Sequence, residues 1–131
     1  MTDKPTAYVA SGQQLCLTFG ALLLALGVML GALTAHALKG RLGATELGWW
    51  ETGVQYQMWT GLGLVALSAH AGMRAPALVI TAGAIFFSAS LYVMAITGLK
   101  SLLIVAATPL GGLLMIAGWL FAAWKGFRAR T

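Results

Sequence analysis

The side chains with the greatest capacity for chemistry are few, and most of them flank long apolar stretches. They are His36, Glu51, Gln55, Tyr56, Thr97 and Lys100. An imidazole, a carboxylate and a phenol that meet in one place could transfer protons, so these residue types permit an acid/base site. The same groups could instead cap helix ends and join neighbouring helices, because unpaired polar groups near lipid are costly.

The rest of the reactive inventory is too small for most other chemistry. The whole chain has three acidic residues, two histidines and one cysteine. That is too little for a metal cage, a disulfide framework or a conventional catalytic cluster, so we predict no metal, no cofactor and no catalytic residues. Cys16 lies in an apolar run and is interpreted as a small buried hydrophobic residue.

The composition indicates a chain whose solvent is lipid. Of the 131 residues 60% are hydrophobic and 8% are charged, whereas about a quarter of an ordinary soluble domain is charged. The length predicts one transmembrane domain over residues 1–131. The net charge of +5 does not predict nucleic-acid binding, because the basic residues lie scattered at the edges of the apolar runs.

Four apolar runs are long enough to cross a bilayer. They cover about residues 15–38, 53–71, 77–99 and 102–124. A signal peptide is the competing interpretation of the first run, but the run is roughly twice as long as a signal core. Residues 39–52 mix charges with tryptophans and predict a short interfacial helix. The predicted fold is therefore all-α, an integral membrane four-helix bundle with a short interfacial segment between helices 1 and 2.

Two prolines predict where helices start. Pro76 follows a turn-like stretch and suits a first helical turn. Pro109 removes a backbone donor and follows Thr108, a good N-cap, so we predict a break in the last helix near Thr108-Pro109.

The distribution of lysine and arginine predicts the orientation. With four spans, both termini lie on one side of the membrane. Five basic residues lie on that side (Lys4, Arg74, Lys125, Arg128, Arg130) and three on the other (Lys39, Arg41, Lys100). The excess predicts that both termini are cytoplasmic.

Small residues at helical spacing predict how the helices pack. Membrane helices associate through close contact at small residues and through polar bonds. The predicted packing positions are Gly27 and Gly31 in the first helix, Ala84 and Ser88 in the third, and Gly111 and Gly118 in the fourth.

The topology places the six polar residues at one depth, on the side opposite the termini. Glu51, near a helix start, is favoured there by the helix dipole, and it could pair with His36 or Lys100. Both interpretations of this candidate polar cluster, structural bonding and a ligand site, stay open.

Several motifs resemble one family. They are GALTAHAL at 31–38, YQM at 56–58, FSASLY at 87–92 followed by AITG at 95–98, and TPLGG at 108–112. In order and spacing these are similar to the YgdD-like family of small four-helix membrane proteins, domain of unknown function number 423. The resemblance implies a bacterial inner-membrane protein and no established reaction. The family pattern usually has a histidine shortly after YQM, where this sequence has Trp59-Thr60.

The leading functional hypothesis is a structural or accessory subunit of a larger membrane complex, with the bilayer and other membrane subunits, or further copies of the chain, as partners. The alternative is a small quinone- or lipid-binding protein with a polar interfacial site. A transporter or channel is less favoured, because no acidic residue lies inside a predicted span and no filter-like sequence occurs.

Overall fold

The structure, a computed structural model, describes the backbone of residues 4–129 and the side chains of residues 11–129. Four long helices make up this part of the chain. They are α1 (Lys4–Leu33), which continues into a π-helical turn over Thr34–Leu38, α2 (Ala44–Leu67), α3 (Arg74–Thr97) and α4 (Leu102–Arg128). The all-α prediction is confirmed.

The first helix begins earlier than the apolar run alone predicts and ends in an unusual turn. It is helical from Lys4 rather than from about residue 15. At its other end the Lys39 amide donates to the Thr34 carbonyl over 3.0 Å, which is the i to i+5 bond of a π-turn. Gly40 then adopts a φ of +93°, a left-handed conformation that glycine accepts without a steric penalty, and the chain reverses.

The predicted interfacial segment is much shorter than expected. Only residues 39–43 connect the helices, and the remainder of the predicted 39–52 segment is the beginning of α2. Glu46 lies in the first turn of α2, where the helix dipole favours a carboxylate. Trp50 is 3% exposed because its ring packs into the bundle. Glu46 and Glu51 therefore belong to the second helix, which starts well before residue 53 and ends at Leu67 rather than Ala71.

The turn into α3 follows the prediction more closely. Gly72 has a φ of +76°, and α3 begins at Arg74. Pro76 lies in the first turn of α3, where its missing N–H would have had no helical partner. The helix ends at Thr97, and Gly98 forms a left-handed C-cap whose amide donates to the Met94 carbonyl.

The predicted break at Thr108-Pro109 is wrong. The last helix runs without interruption from Leu102 to Arg128 with Pro109 inside it. Its N-cap is Ser101, whose hydroxyl accepts from the Ile104 amide. The Thr108 hydroxyl makes a 2.7 Å hydrogen bond with the Ser90 hydroxyl of α3 and so does not cap a helix. Membrane helices tolerate an internal proline where neighbouring helices and Ser or Thr side chains support the backbone.

The helices pack mainly with their neighbours in sequence. The connections span only residues 39–43, 68–73 and 98–101, so each helix returns alongside the previous one. The pairs α1 with α2, α2 with α3 and α3 with α4 make the main interfaces, and α1 also touches α3. Their shared core includes Cys16, Leu64, Ile80, Ala84 and Met115. Cys16 is fully buried, as predicted.

The outer surface is apolar along the helices. Three segments of the described chain are long and apolar enough to cross a membrane: Ser11–Leu38, Arg74–Thr97 and Leu102–Arg128. Many large hydrophobic side chains on them face outwards, including Met29 (60% exposed) and Leu120 (66% exposed). Such a surface belongs in lipid or against another membrane protein. The second helix carries more polar residues and is not among the three segments.

Candidate functional site

Two members of the candidate polar cluster lie together, and the others do not join them in a bond. Glu51 and Gln55 line a shallow groove between α1 and α2, together with Gly31, Thr34 and Val54. Both polar side chains are exposed. Within residues 11–129 the structure gives neither of them a hydrogen bond or an ion pair.

His36 lies in the π-helical turn that ends the first helix, and it is exposed. No hydrogen bond or ion pair links its imidazole to Glu51, Gln55 or Tyr56 in the part of the chain that the structure describes. The π-turn changes the angular spacing of the side chains that follow Leu33, so the direction of His36 differs from that in a continuous α-helix.

The remaining three members of the candidate polar cluster have local contacts. The Tyr56 ring packs against Phe87 at 4.8 Å between centroids and against Trp59 at 5.2 Å. The Thr97 hydroxyl donates to the Val93 carbonyl and accepts from the Leu99 amide, at the end of α3. The Lys100 ammonium lies 5.1 Å from the centroid of the Trp49 ring. Within residues 11–129, no hydrogen bond or ion pair joins these three residues to His36, Glu51 or Gln55.

A different set of polar residues lies inside the bundle, with Gln57 at its centre. The Gln57 amide nitrogen donates to the Leu23 carbonyl of α1 over 2.9 Å. Its amide oxygen accepts from the Tyr92 hydroxyl of α3 over 2.8 Å. Gln57 is 5% exposed, so both bonds are shielded. One side chain of α2 thus joins three helices.

Further bonds nearer the beginning of α2 connect the same helices. The Ser88 hydroxyl donates to the Gly53 carbonyl over 2.8 Å, and the Trp50 indole donates to the Leu30 carbonyl over 3.1 Å. The Trp50 and Tyr92 rings pack with centroids 4.6 Å apart. Gly53 is needed beside them, because a Cβ there would lie 2.7 Å from the Tyr92 ring. We call Trp50, Gln57, Ser88 and Tyr92 the polar core.

The sequence contains a signal for the polar core that the prediction missed. Gly53, Gln57, Gly61 and Leu64 repeat at helical spacing and form the buried face of α2. Two glycines on one helix face allow the backbone of a neighbouring helix to approach closely. A glutamine on the same face can therefore reach that backbone. The prediction instead grouped polar residues by their depth in the membrane, which does not show which side of a helix each one occupies.

The glycines among the predicted packing positions face a neighbouring helix, and two of them lie close to its backbone. A Cβ at Gly111 would meet the Phe87 amide nitrogen and would lie 2.7 Å from the Gly83 carbonyl oxygen. At Gly118 it would lie 3.0 Å from the Ile80 nitrogen. Gly27 faces Met58 of α2, and Gly31 faces Val54 more loosely. Ala84 and Ser88 are both buried. Gly20 and Gly61 form a further close pair between α1 and α2.

A second feature is an open groove with aromatic walls between α2, α3 and α4. Its volume is about 480 Å³, and we call it the aromatic groove. Its lining consists of Tyr56, Trp59, Thr60, Phe87, Gly112, Met115, Ile116 and Trp119. The Thr60 hydroxyl lies 3.6 Å from the Met115 sulfur, a weak acceptor.

Neither a group of metal ligands nor an unsatisfied buried polar atom occurs among the described side chains. In the described part of the chain, no group of three or more histidine, cysteine or acidic side chains could hold a metal ion. No buried side-chain nitrogen or oxygen there lacks a hydrogen-bond partner. The buried polar groups are therefore engaged in bonds within the protein.

Comparison with known proteins gives a consistent set of relatives. A family model described as "Protein of unknown function (DUF423)" matches residues 30–112. A UPF0382 membrane protein of Staphylococcus haemolyticus is 38% identical over 120 residues, which cover 88% of this chain and 97% of the relative. The UPF0382 membrane protein YwdK of Bacillus subtilis is 37% identical over 77% of this chain and 86% of its own.

The UPF0382 inner membrane protein YgdD of Escherichia coli is 36% identical over 70% of this chain and 73% of its own length. No solved structure matches the chain. The names of these relatives place them in membranes and state no reaction. The matched residues 30–112 include the polar core and much of the aromatic groove.

Proposed function

This chain belongs to the DUF423 family of membrane proteins, and from that premise we propose that it is a structural or accessory subunit of a larger complex in the bacterial inner membrane. The supporting observation is how its buried polar side chains are used. Gln57, Ser88 and Tyr92 bond to neighbouring helices. Groups held in such bonds stabilise a bundle and are poorly placed to exchange protons with a substrate.

The outer faces of the bundle suit contact with another membrane helix. Leu22, Leu26 and Met29 form an exposed stripe along α1. Leu113, Ile116 and Leu120 form another along α4. Residues at these spacings lie on one side of a helix, so each stripe offers a continuous ridge for packing. The partner is another subunit or a second copy of this chain, with the bilayer covering the rest.

We propose four membrane spans with both termini in the cytoplasm. The second helix has 24 residues, about 36 Å at 1.5 Å per residue, which is enough to cross. Cations also lie over aromatic rings near both ends of the bundle, as anchors at the headgroup depth do. Lys100 lies over Trp49 at one end, and Arg128 lies over Trp124, at 4.6 Å, at the other.

Capture from native membranes tests the accessory role. The chain carries a C-terminal tag at its chromosomal locus, and a membrane-solubilising polymer extracts it with its surrounding lipid. Mass spectrometry of the captured material is expected to show a membrane protein in stoichiometric amount. Recovery of the chain with lipid alone would contradict the proposal.

Three single tryptophan substitutions identify which helix contacts the partner. Each variant serves as a control for the other two. Leu26→Trp, Ile85→Trp and Leu120→Trp place the same bulk on exposed positions of α1, α3 and α4. We expect one of them to reduce the captured partner severalfold, because added bulk disrupts a packed interface but is tolerated against fluid lipid. Equal capture by all three would show that none of these faces holds a partner.

The second candidate function is the binding of a quinone or a lipid. The exposed Glu51 and Gln55 side chains give it little support, because their groove is shallow and His36 makes no bond to them. The aromatic groove favours it instead, since aromatic walls with few polar groups are typical of small-molecule sites.

A further inference from the structure

The aromatic groove lies near the middle of the bundle. Tyr56, Trp59 and Thr60 are in the central turns of α2. Phe87 is central in α3, and residues 112–119 are central in α4. If these helices cross the bilayer, the groove opens into the hydrocarbon region and lies far from the headgroups.

Its aromatic residues are unusual for that depth. Tryptophan and tyrosine concentrate at membrane interfaces, where their N–H and O–H groups find water or headgroups. Here Tyr56, Trp59 and Trp119 line a mid-helix groove. The structure gives their phenol and indole donors no hydrogen-bond partner within residues 11–129. A donor without a partner in hydrocarbon is costly, which favours a ligand that brings acceptors.

The lining also limits the shape of that ligand. The Tyr56 ring lies at 4.8 Å from Phe87 and at 5.2 Å from Trp59, so flat faces and edges form the wall. Gly112 leaves space for a ligand beside the Phe87 ring. A Cβ at this position would occupy part of that space, in van der Waals contact with the ring at 3.8 Å. The volume of about 480 Å³ is within the range of sites for small organic ligands.

We propose that the aromatic groove binds the ring of a lipid-soluble quinone. An oxidised quinone ring is flat and carries carbonyl acceptors but no donors, which complements a lining of aromatic faces, indole N–H groups and a phenol. Phospholipid ester carbonyls lie near the headgroups, outside the roughly 30 Å hydrocarbon core, and do not reach this depth. The proposal names the ligand and site of the second candidate function and does not depend on the accessory role.

The test measures ligand-induced stabilisation of the purified full chain in lipid nanodiscs. The probe is a decyl-substituted benzoquinone, and decylbenzene is the control with the same tail and no carbonyl groups. A ligand that binds only the folded state raises the unfolding temperature, and above its Kd the rise grows with the logarithm of the ligand concentration. We expect such a concentration-dependent rise with the quinone and none with decylbenzene. Equal effects of the two compounds, or no rise with the quinone, would overturn the proposal.

Conservative variants assign the effect to the groove. Tyr56→Phe and Trp119→Phe each remove a donor while keeping a ring. We expect each to weaken apparent quinone affinity by about five- to tenfold, the change that corresponds to one hydrogen bond. Trp124→Phe is the matched control, since Trp124 lies near the end of α4 and does not line the groove. The proposal fails if the groove variants and this control bind alike.

A steric variant gives an independent result. Gly112→Leu fills the groove, and Gly126→Leu places the same side chain on α4 in open space. We expect the first to abolish the rise in unfolding temperature caused by the quinone and the second to preserve it. Preserved binding in Gly112→Leu would place the quinone elsewhere. Because these readouts need no partner protein, a failure here is separate from a failure of the membrane capture experiment.

Discussion

The Tyr92 hydroxyl donates to the Gln57 amide oxygen over 2.8 Å, and this bond links α3 to α2 inside the bundle. The other end of the same amide donates to the Leu23 carbonyl of α1. Lipid tails are as apolar as leucine, so hydrophobic burial alone provides little force between membrane helices. The position of α2 between α1 and α3 therefore depends on such bonds and on close packing at small residues.

Replacing Gln57 with leucine should destabilise the protein. The change removes both bonds and leaves the Tyr92 hydroxyl without its acceptor. We expect a loss of about 1–3 kcal/mol in the free energy of unfolding in detergent, the usual cost of an unpaired buried polar group. Denaturant titration followed by circular dichroism measures it.

Gln55→Leu is the control for that substitution. Gln55 is exposed, and the structure gives it no hydrogen bond within residues 11–129. Its replacement should change the free energy of unfolding by less than about 0.5 kcal/mol. Equal losses for the two glutamines would contradict the assignment of Gln57 to the polar core.

Gly111→Ala should weaken the contact between α3 and α4. The added methyl group would lie 2.7 Å from the Gly83 carbonyl oxygen and would also meet the Phe87 amide, so the backbones must separate. Overpacking of this kind costs about 1–3 kcal/mol. The same change at Gly126, which faces open space, should be neutral or slightly stabilising, because alanine favours helix. The midpoint of thermal unfolding reports both, and a stable Gly111→Ala variant would argue against this close approach.

His36→Ala should have little effect on stability. The imidazole is exposed and makes no bond within the described residues, so its removal leaves no buried partner unpaired. We expect a change within about 0.5 kcal/mol, as for other exposed positions. A large fall in the unfolding temperature would mean that His36 makes a contact that this structure lacks.

Reporter fusions check the proposed orientation. A fusion after Thr131 should be active as a cytoplasmic reporter, and a fusion in the 98–101 connection should be active as a periplasmic one. The expectation follows from four spans and from five basic residues on the terminal side against three on the other. A periplasmic C-terminus would refute it.

The sequence was sufficient to predict the helical class and several packing positions. Low charge and long apolar runs predict membrane-spanning helices, because a helix in lipid satisfies all of its backbone hydrogen bonds internally. Gly111 and Gly118 were identifiable because small residues at helical spacing mark close approaches. In the structure both contact α3.

The helix boundaries and the polar core were not predicted correctly, because they depend on contacts between helices that cannot be read from the sequence alone. Trp50 was assigned to an interface because tryptophan prefers that depth, but its indole bonds to the Leu30 carbonyl and its ring packs on Tyr92. Threonine is a common N-cap residue, but the Thr108 hydroxyl forms a hydrogen bond with the Ser90 hydroxyl of α3. In both cases a partner from another helix outweighed the local preference.

A double-mutant cycle between Gln57 and Tyr92 tests most directly whether the buried polar residues serve to hold the bundle together. The free energy of unfolding is measured for the wild type, Gln57→Leu, Tyr92→Phe and the double variant. The predicted coupling is about 0.6 kcal/mol, the average for side-chain hydrogen bonds between membrane helices, and no more than about 1.7 kcal/mol. The quinone should stabilise the folded variants as much as it stabilises the wild type. A coupling near zero, with the two substitutions simply additive, would contradict a structural bond between these residues.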